Sequence, residues 1–97
     1  MLKQYFITAY DFTDPEALDR RMAARPAHLE GARKLKASGN FIIGGAILST
    51  EGKMIGSSLF MQFQNEEEVQ QWLNEEPYVN QKVWDKIEIK PFRVAEV

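Results

Sequence analysis

The chain contains no cysteine, which excludes disulfides, thiolate catalysis and any cysteine-ligated metal. It has a single histidine, too few for the usual His-rich zinc sites within one chain. It also lacks a charge excess. Twelve basic and 14 acidic side chains leave a formal net charge of −2, so neither nucleic acid nor an anionic membrane surface is the expected partner. No apolar run approaches the ~20 residues of a membrane span. The N-terminal segment has the pattern of a strand rather than a signal peptide, which makes the cytoplasm the expected compartment. No linker, repeat or low-complexity tract interrupts the chain. The 97 residues, 44% hydrophobic and 27% charged, suit one soluble globular domain over residues 1–97.

The order of elements follows from local chemistry. Leu2 to Tyr10 is rich in β-branched and aromatic residues and predicts a strand. Asp14 followed by Pro15 predicts a helix start, with an N-cap oxygen and a residue preset for the first turn. The helical pattern extends to about Ser38. Pro26 interrupts it and predicts a kink or a restart, and Gly39-Asn40 closes it. Phe41 to Ser49 predicts a buried strand, whose paired glycines point to a bulge or a close backbone approach. Glu51-Gly52-Lys53 is a hairpin turn, and Gly56 to Phe63 is the returning strand. Asn65 caps a second helix to about Glu75, with Glu66, Glu67 and Glu68 in its dipole-favoured first turn. Pro77 starts a short turn or helical extension. Lys86 to Val94 is the last strand, and Pro91 places it at an edge.

This βαββαβ order, with right-handed crossovers, predicts a ferredoxin-like α+β sandwich. Two helices cover one face of a four-stranded antiparallel sheet. The strands do not alternate cleanly. Tyr5 and Ile7 share one side of the first strand, and Phe6 and Tyr10 the other. Phe60 points away from Leu59, Met61 and Phe63. A second apolar face needs cover, and a second copy of the chain is the economical source.

His28 falls within the apolar arc of Leu29, Ala32 and Leu35, aligned with Ala32 at i+4 and Leu35 at i+7. A histidine there is either a hydrogen-bonded packing residue or the wall of a cavity. On the second helix, Glu76 follows Val69 and Trp72 at i+7 and i+4 and projects from the same apolar face. One imidazole and one carboxylate therefore point into the same layer. A carboxylate beside an imidazole fixes its tautomer and stabilises its cation, which is how a general acid–base is prepared. A structural ion pair, or a Glu76 frayed into solvent, is the alternative.

Several stretches resemble one known family. They are Arg20-Arg21, then Arg25-Pro26-Ala27-His28-Leu29, Gly44-Gly45, Gly56-Ser57-Ser58, Glu76-Pro77-Tyr78-Val79 and Ile89-Lys90-Pro91-Phe92. In this order they resemble the YCII-related, YciI-like proteins over nearly the whole length. The resemblance implies a dimeric α+β barrel and a histidine–aspartate site, in a family where some relatives act as dehydrochlorinases on ring compounds. The histidine position falls on His28. Glu76 occupies the aspartate position, keeping the carboxylate and adding a methylene.

Two classes of function follow. The first is a cofactor-free enzyme performing proton abstraction, isomerisation or elimination on a small organic substrate. There, His28 is the base, Glu76 its orienting partner and Arg25 an anion anchor, with Ser57 and Tyr78 supplying hydroxyls. No metal or other cofactor is expected. The second is a non-catalytic module that binds a small ligand or a protein. In that case Arg25 is a solvated helix residue, and Ser57 and Tyr78 are strand-end and packing residues. A homodimer is expected in either class.

Overall fold

The computed structural model describes residues 1–97. The elements run β1 (Lys3–Asp11), α1 (Ala17–Ala37), β2 (Phe41–Leu48), β3 (Met54–Phe63), α2 (Glu66–Glu75), α3 (Pro77–Asn80) and β4 (Trp84–Phe92). The strands pair antiparallel in the order β2-β3-β1-β4. This is the ferredoxin-like α+β arrangement the sequence predicts. No helix is long and apolar enough to cross a membrane.

Local chemistry sets most boundaries. Asn65 Oδ1 accepts from Glu68 N at 3.0 Å, and Glu68 Oε1 accepts from Gln64 N at 2.8 Å, so the start of α2 is closed from both sides. Gly52 holds φ +86 in the β2–β3 turn, where a side chain would be strained. A Cβ on Gly44 would stand 2.9 Å from the Ser58 carbonyl oxygen, so β2 lies close against β3 only because this residue is glycine.

Three expectations need correction. The helix does not restart at Pro26 but runs through it as 21 continuous residues. Pro26 is exposed and Met22, four residues earlier, is too, so water can take the carbonyl that the missing N–H leaves free. Asp14 does not cap the first helical residue. Its carboxylate accepts from Glu16 N at 3.2 Å, and its carbonyl from Ala17 N at 3.1 Å, in a turn that leads into α1. Finally, β2 is not a buried strand. It lies at the sheet edge, where Ile43 and Leu48 are 63% and 57% exposed.

Tyr5, Ile7 and Ala9 of β1 and Leu59, Met61 and Phe63 of β3 form the floor of the core. Val69 and Trp72 of α2, Tyr78 of α3, and Val83 and Trp84 close it from above. The opposite sheet face is aromatic in the middle. Phe6 stacks on Phe60 at 4.8 Å, and Phe92 lies 4.8 Å from Phe60. Both faces of the sheet therefore carry apolar side chains.

Candidate functional site

Glu76 sits where the chain leaves the α-helical path. Its backbone is extended (φ −73, ψ 121), ending α2 one residue before Pro77. This break, rather than helical periodicity, aims its side chain inward. Oε1 accepts from Tyr78 N at 3.2 Å, capping α3, and meets His28 Nδ1 at 2.6 Å. The two side chains are only 11% and 5% exposed. When Glu76 is ionised it can only accept, so Nδ1 carries the proton, and in the neutral ring Nε2 then keeps its lone pair. The imidazole is further held by its neighbours. It stacks on Tyr78 at 4.0 Å and 17°, with Trp84 edge-on at 6.1 Å.

A second ion pair, which sequence reasoning missed, lies two turns earlier on α1. Arg21 is 2% exposed. Its Nη1 donates to both oxygens of Asp11, at 2.9 and 3.0 Å, and its Nη2 to Ser57 Oγ at 2.8 Å. Trp84 Nε1 donates to the same Oγ at 3.2 Å. The guanidinium lies 4.7 Å from the centre of the Tyr78 ring, and Arg21 Nε is buried without a partner. Burial pushes the Asp11 carboxyl above its ordinary value, with the Arg21 charge pulling it back. Burial likewise raises the Tyr78 phenol, so it is neutral at pH 7. The missed signal was present in the spacing. Ala17, Arg21, Ala24 and His28 follow one another at i+4 or i+3, and Asp11 continues the alternation of Tyr5, Ile7 and Ala9.

The two pairs flank a cavity of about 80 Å³ between α1 and the β2–β3 half of the sheet. His28, Arg25, Ser57, Tyr78 and Arg21 form its polar wall. Leu29, Ala32, Phe41, Leu59 and the Gly44–Ala46 segment form the apolar one. All five residues singled out in the sequence thus come together, four lining the cavity and Glu76 behind His28. Arg25 is half-buried and forms no ion pair, whereas Arg20 is bound to Asp14 at 2.7 Å and Arg33 to Glu30 at 3.3 Å. In its neutral form His28 offers one nitrogen, Nε2, with no partner in the chain, in a wall that also holds the donors of Arg25, Ser57 and Tyr78.

The family model of the YCII-related domain matches residues 4–93. Protein YciI of Escherichia coli O6:H1 is 30% identical over 95 residues, covering 92% of this chain and 95% of the relative. An uncharacterized protein of Haemophilus influenzae matches at the same identity and coverage. Among solved structures, a 5-chloro-2-hydroxyhydroquinone dehydrochlorinase from Burkholderia phenoliruptrix AC1100, in complex with 2,5-dihydroxybenzoquinone, superposes with a TM-score of 0.83. It is 23% identical, with 95% of each chain covered. A dimeric ferredoxin-like protein from an uncultured marine organism gives a TM-score of 0.56 at 14% identity, covering all of this chain and 92% of its own. The two structural likenesses show the shared fold. The match over residues 4–93 and the YciI relatives show more: the chain belongs to the YCII-related family.

Proposed function

We propose that this protein is a cofactor-free acid–base enzyme acting on a small organic substrate, with His28 as the base. The observation that carries this reading is the 2.6 Å contact between His28 Nδ1 and Glu76 Oε1 at the wall of a cavity. It leaves Nε2 free to take a proton from a bound molecule while Glu76 stabilises the imidazolium that forms. Arg25 anchors an anionic group of the substrate, and Ser57 and Tyr78 bind its oxygens. The dehydrochlorinase of the same fold suggests elimination from a hydroxylated ring as the first reaction to try. Purified protein would be incubated with 5-chloro-2-hydroxyhydroquinone and with a panel of enolisable acids, following chloride release and deuterium exchange. His28→Asn should lower turnover by roughly 10²–10⁴-fold with the fold retained. Turnover that survives this change would dismiss His28 as the base and favour a binding module.

The active form we propose is a homodimer joined through the helix-free sheet face. Phe6, Phe60 and Phe92 form its centre, and Ile43 extends the apolar surface. Sedimentation at micromolar concentration should give twice the chain mass. A single species of 11.2 kDa would sink this assembly.

A further inference from the structure

We propose that the Ser57 hydroxyl is a fixed hydrogen-bond donor aimed into the cavity, set there to hold a substrate oxygen that carries or gains negative charge. The inference rests on the reading of the cavity as a substrate site, and deepens it by naming the ligand class, a small organic oxyanion.

A serine oxygen has two acceptor lone pairs and one hydrogen. Both partners of Ser57 Oγ, the Arg21 guanidinium at 2.8 Å and the Trp84 indole at 3.2 Å, can only donate. They occupy the two lone pairs and leave the O–H without a partner in the chain. Ser57 is 2% exposed, and the cavity it lines is the open space available to that hydrogen. Most serine hydroxyls rotate to suit their surroundings, but this one cannot. A donating cation also polarises the O–H, making it a stronger donor.

The rest of the wall fits the same ligand. Tyr78 brings a phenol with no acceptor in the chain, and Arg25 an unpaired guanidinium. No carboxylate lines the cavity, because Asp11 stands behind Arg21 and Glu76 behind His28. When His28 Nε2 takes a proton from the substrate, the electron pair stays on the substrate and moves to an oxygen. The imidazole gains the positive charge and the oxygen the negative one. Ser57 is a donor already in place for that oxygen, which is where fixed donors contribute most. Arg21 and Trp84 do not act on the substrate themselves and are positioning residues.

The test uses 4-nitrophenol, whose ionised form is read by its own colour. Wild-type protein should bind the phenolate in preference to the phenol, lowering the apparent pKa of the bound probe. Ser57→Ala should lose roughly tenfold or more of that preference. Ser57→Thr, which keeps the hydroxyl, should retain it. Trp84→Phe frees one lone pair and lets the hydroxyl turn away, so it should give a smaller loss in the same spectrum. If Ser57→Ala fails to fold, the Trp84→Phe spectrum decides the matter instead. A wild-type protein that takes up no phenolate, or binds both forms equally, overturns the proposal. So do variants that keep the wild-type preference. His28 can take the probe's proton, so the same spectra are recorded in a His28→Asn background: a loss on Ser57→Ala that persists there belongs to Ser57 whatever becomes of the base, and one that vanishes there overturns the proposal.

Discussion

Arg21 and His28 stand seven residues apart on the inner face of α1, and each holds a carboxylate brought by another element. Asp11 comes from the end of β1 and Glu76 from the break between α2 and α3. Both pairs are short and nearly closed to solvent, yet they are built for different ends. A guanidinium is a fixed cation, and Arg21 Nη1 reaches both oxygens of Asp11. It can position and polarise but cannot exchange a proton. His28 meets a single oxygen of Glu76, and its other ring nitrogen is free. Burial of an ion pair therefore does not mark chemistry. What separates the two is a ring that can give or take a proton and has a second atom left to use.

The two pairs should differ most when one partner is removed from each. Arg21→Met leaves Asp11 buried without its cation, and should cost about 3–5 kcal/mol of unfolding free energy in urea. Glu76→Gln keeps an acceptor for His28 and for Tyr78 N, and should cost about 1 kcal/mol. Equal losses would mean that both pairs are structural.

A finer effect concerns the imidazole. With Glu76 in place, the neutral His28 ring should carry its proton on Nδ1, as read from ring-nitrogen chemical shifts. Glu76→Gln can donate as well as accept, and should let both tautomers appear. An unchanged tautomer would show that the carboxylate does not set it.

The smallest effect belongs to a third pair, which serves as a control. Asp14 and Arg20 meet at 2.7 Å in the turn that leads into α1, and Arg20 Nε also donates to Lys82 O at 3.0 Å. The Arg20 hydrogen bond holds the Asp14 carboxyl down to about 2, from an ordinary 3.8. A depressed acid stabilises the fold while it is ionised. Its contribution is therefore present above pH 3.8 and is lost as pH falls through about 2. Melting wild type and Asp14→Asn side by side should show a small difference at neutral pH that disappears near pH 2. A difference that persisted there would separate this bridge from the carboxyl's charge.

The three pairs also show what could be read from the sequence. Asn65, Gly52 and Pro91 act through their immediate neighbours, so the helix cap, the turn and the edge strand were legible from a few residues each. The exposure of β2 was not, because it depends on strand order and on which face the helices cover. Arg21 stayed hidden for a chemical reason. A lone arginine in a helix is ordinarily solvated, so the spacing that puts Arg21 and Asp11 on buried faces was outweighed by their charge, and only the fold brings Ser57 to meet them. Glu76 was placed correctly by a helical count that does not hold at that residue. The turn forced by Pro77 brought it to the same place.

Glu76 serves two ends at once, capping α3 through Tyr78 N and gripping His28. A descendant that abandoned the chemistry would still need an oxygen there to keep its short helix wound. Selection for folding alone would preserve an acceptor oxygen, of an acid or of an amide, long after any activity had gone. Among relatives, then, an oxygen at this position is poor testimony to catalysis. The imidazole says more, since its packing against Tyr78 and Trp84 asks only for a flat ring, and many flat rings can do that.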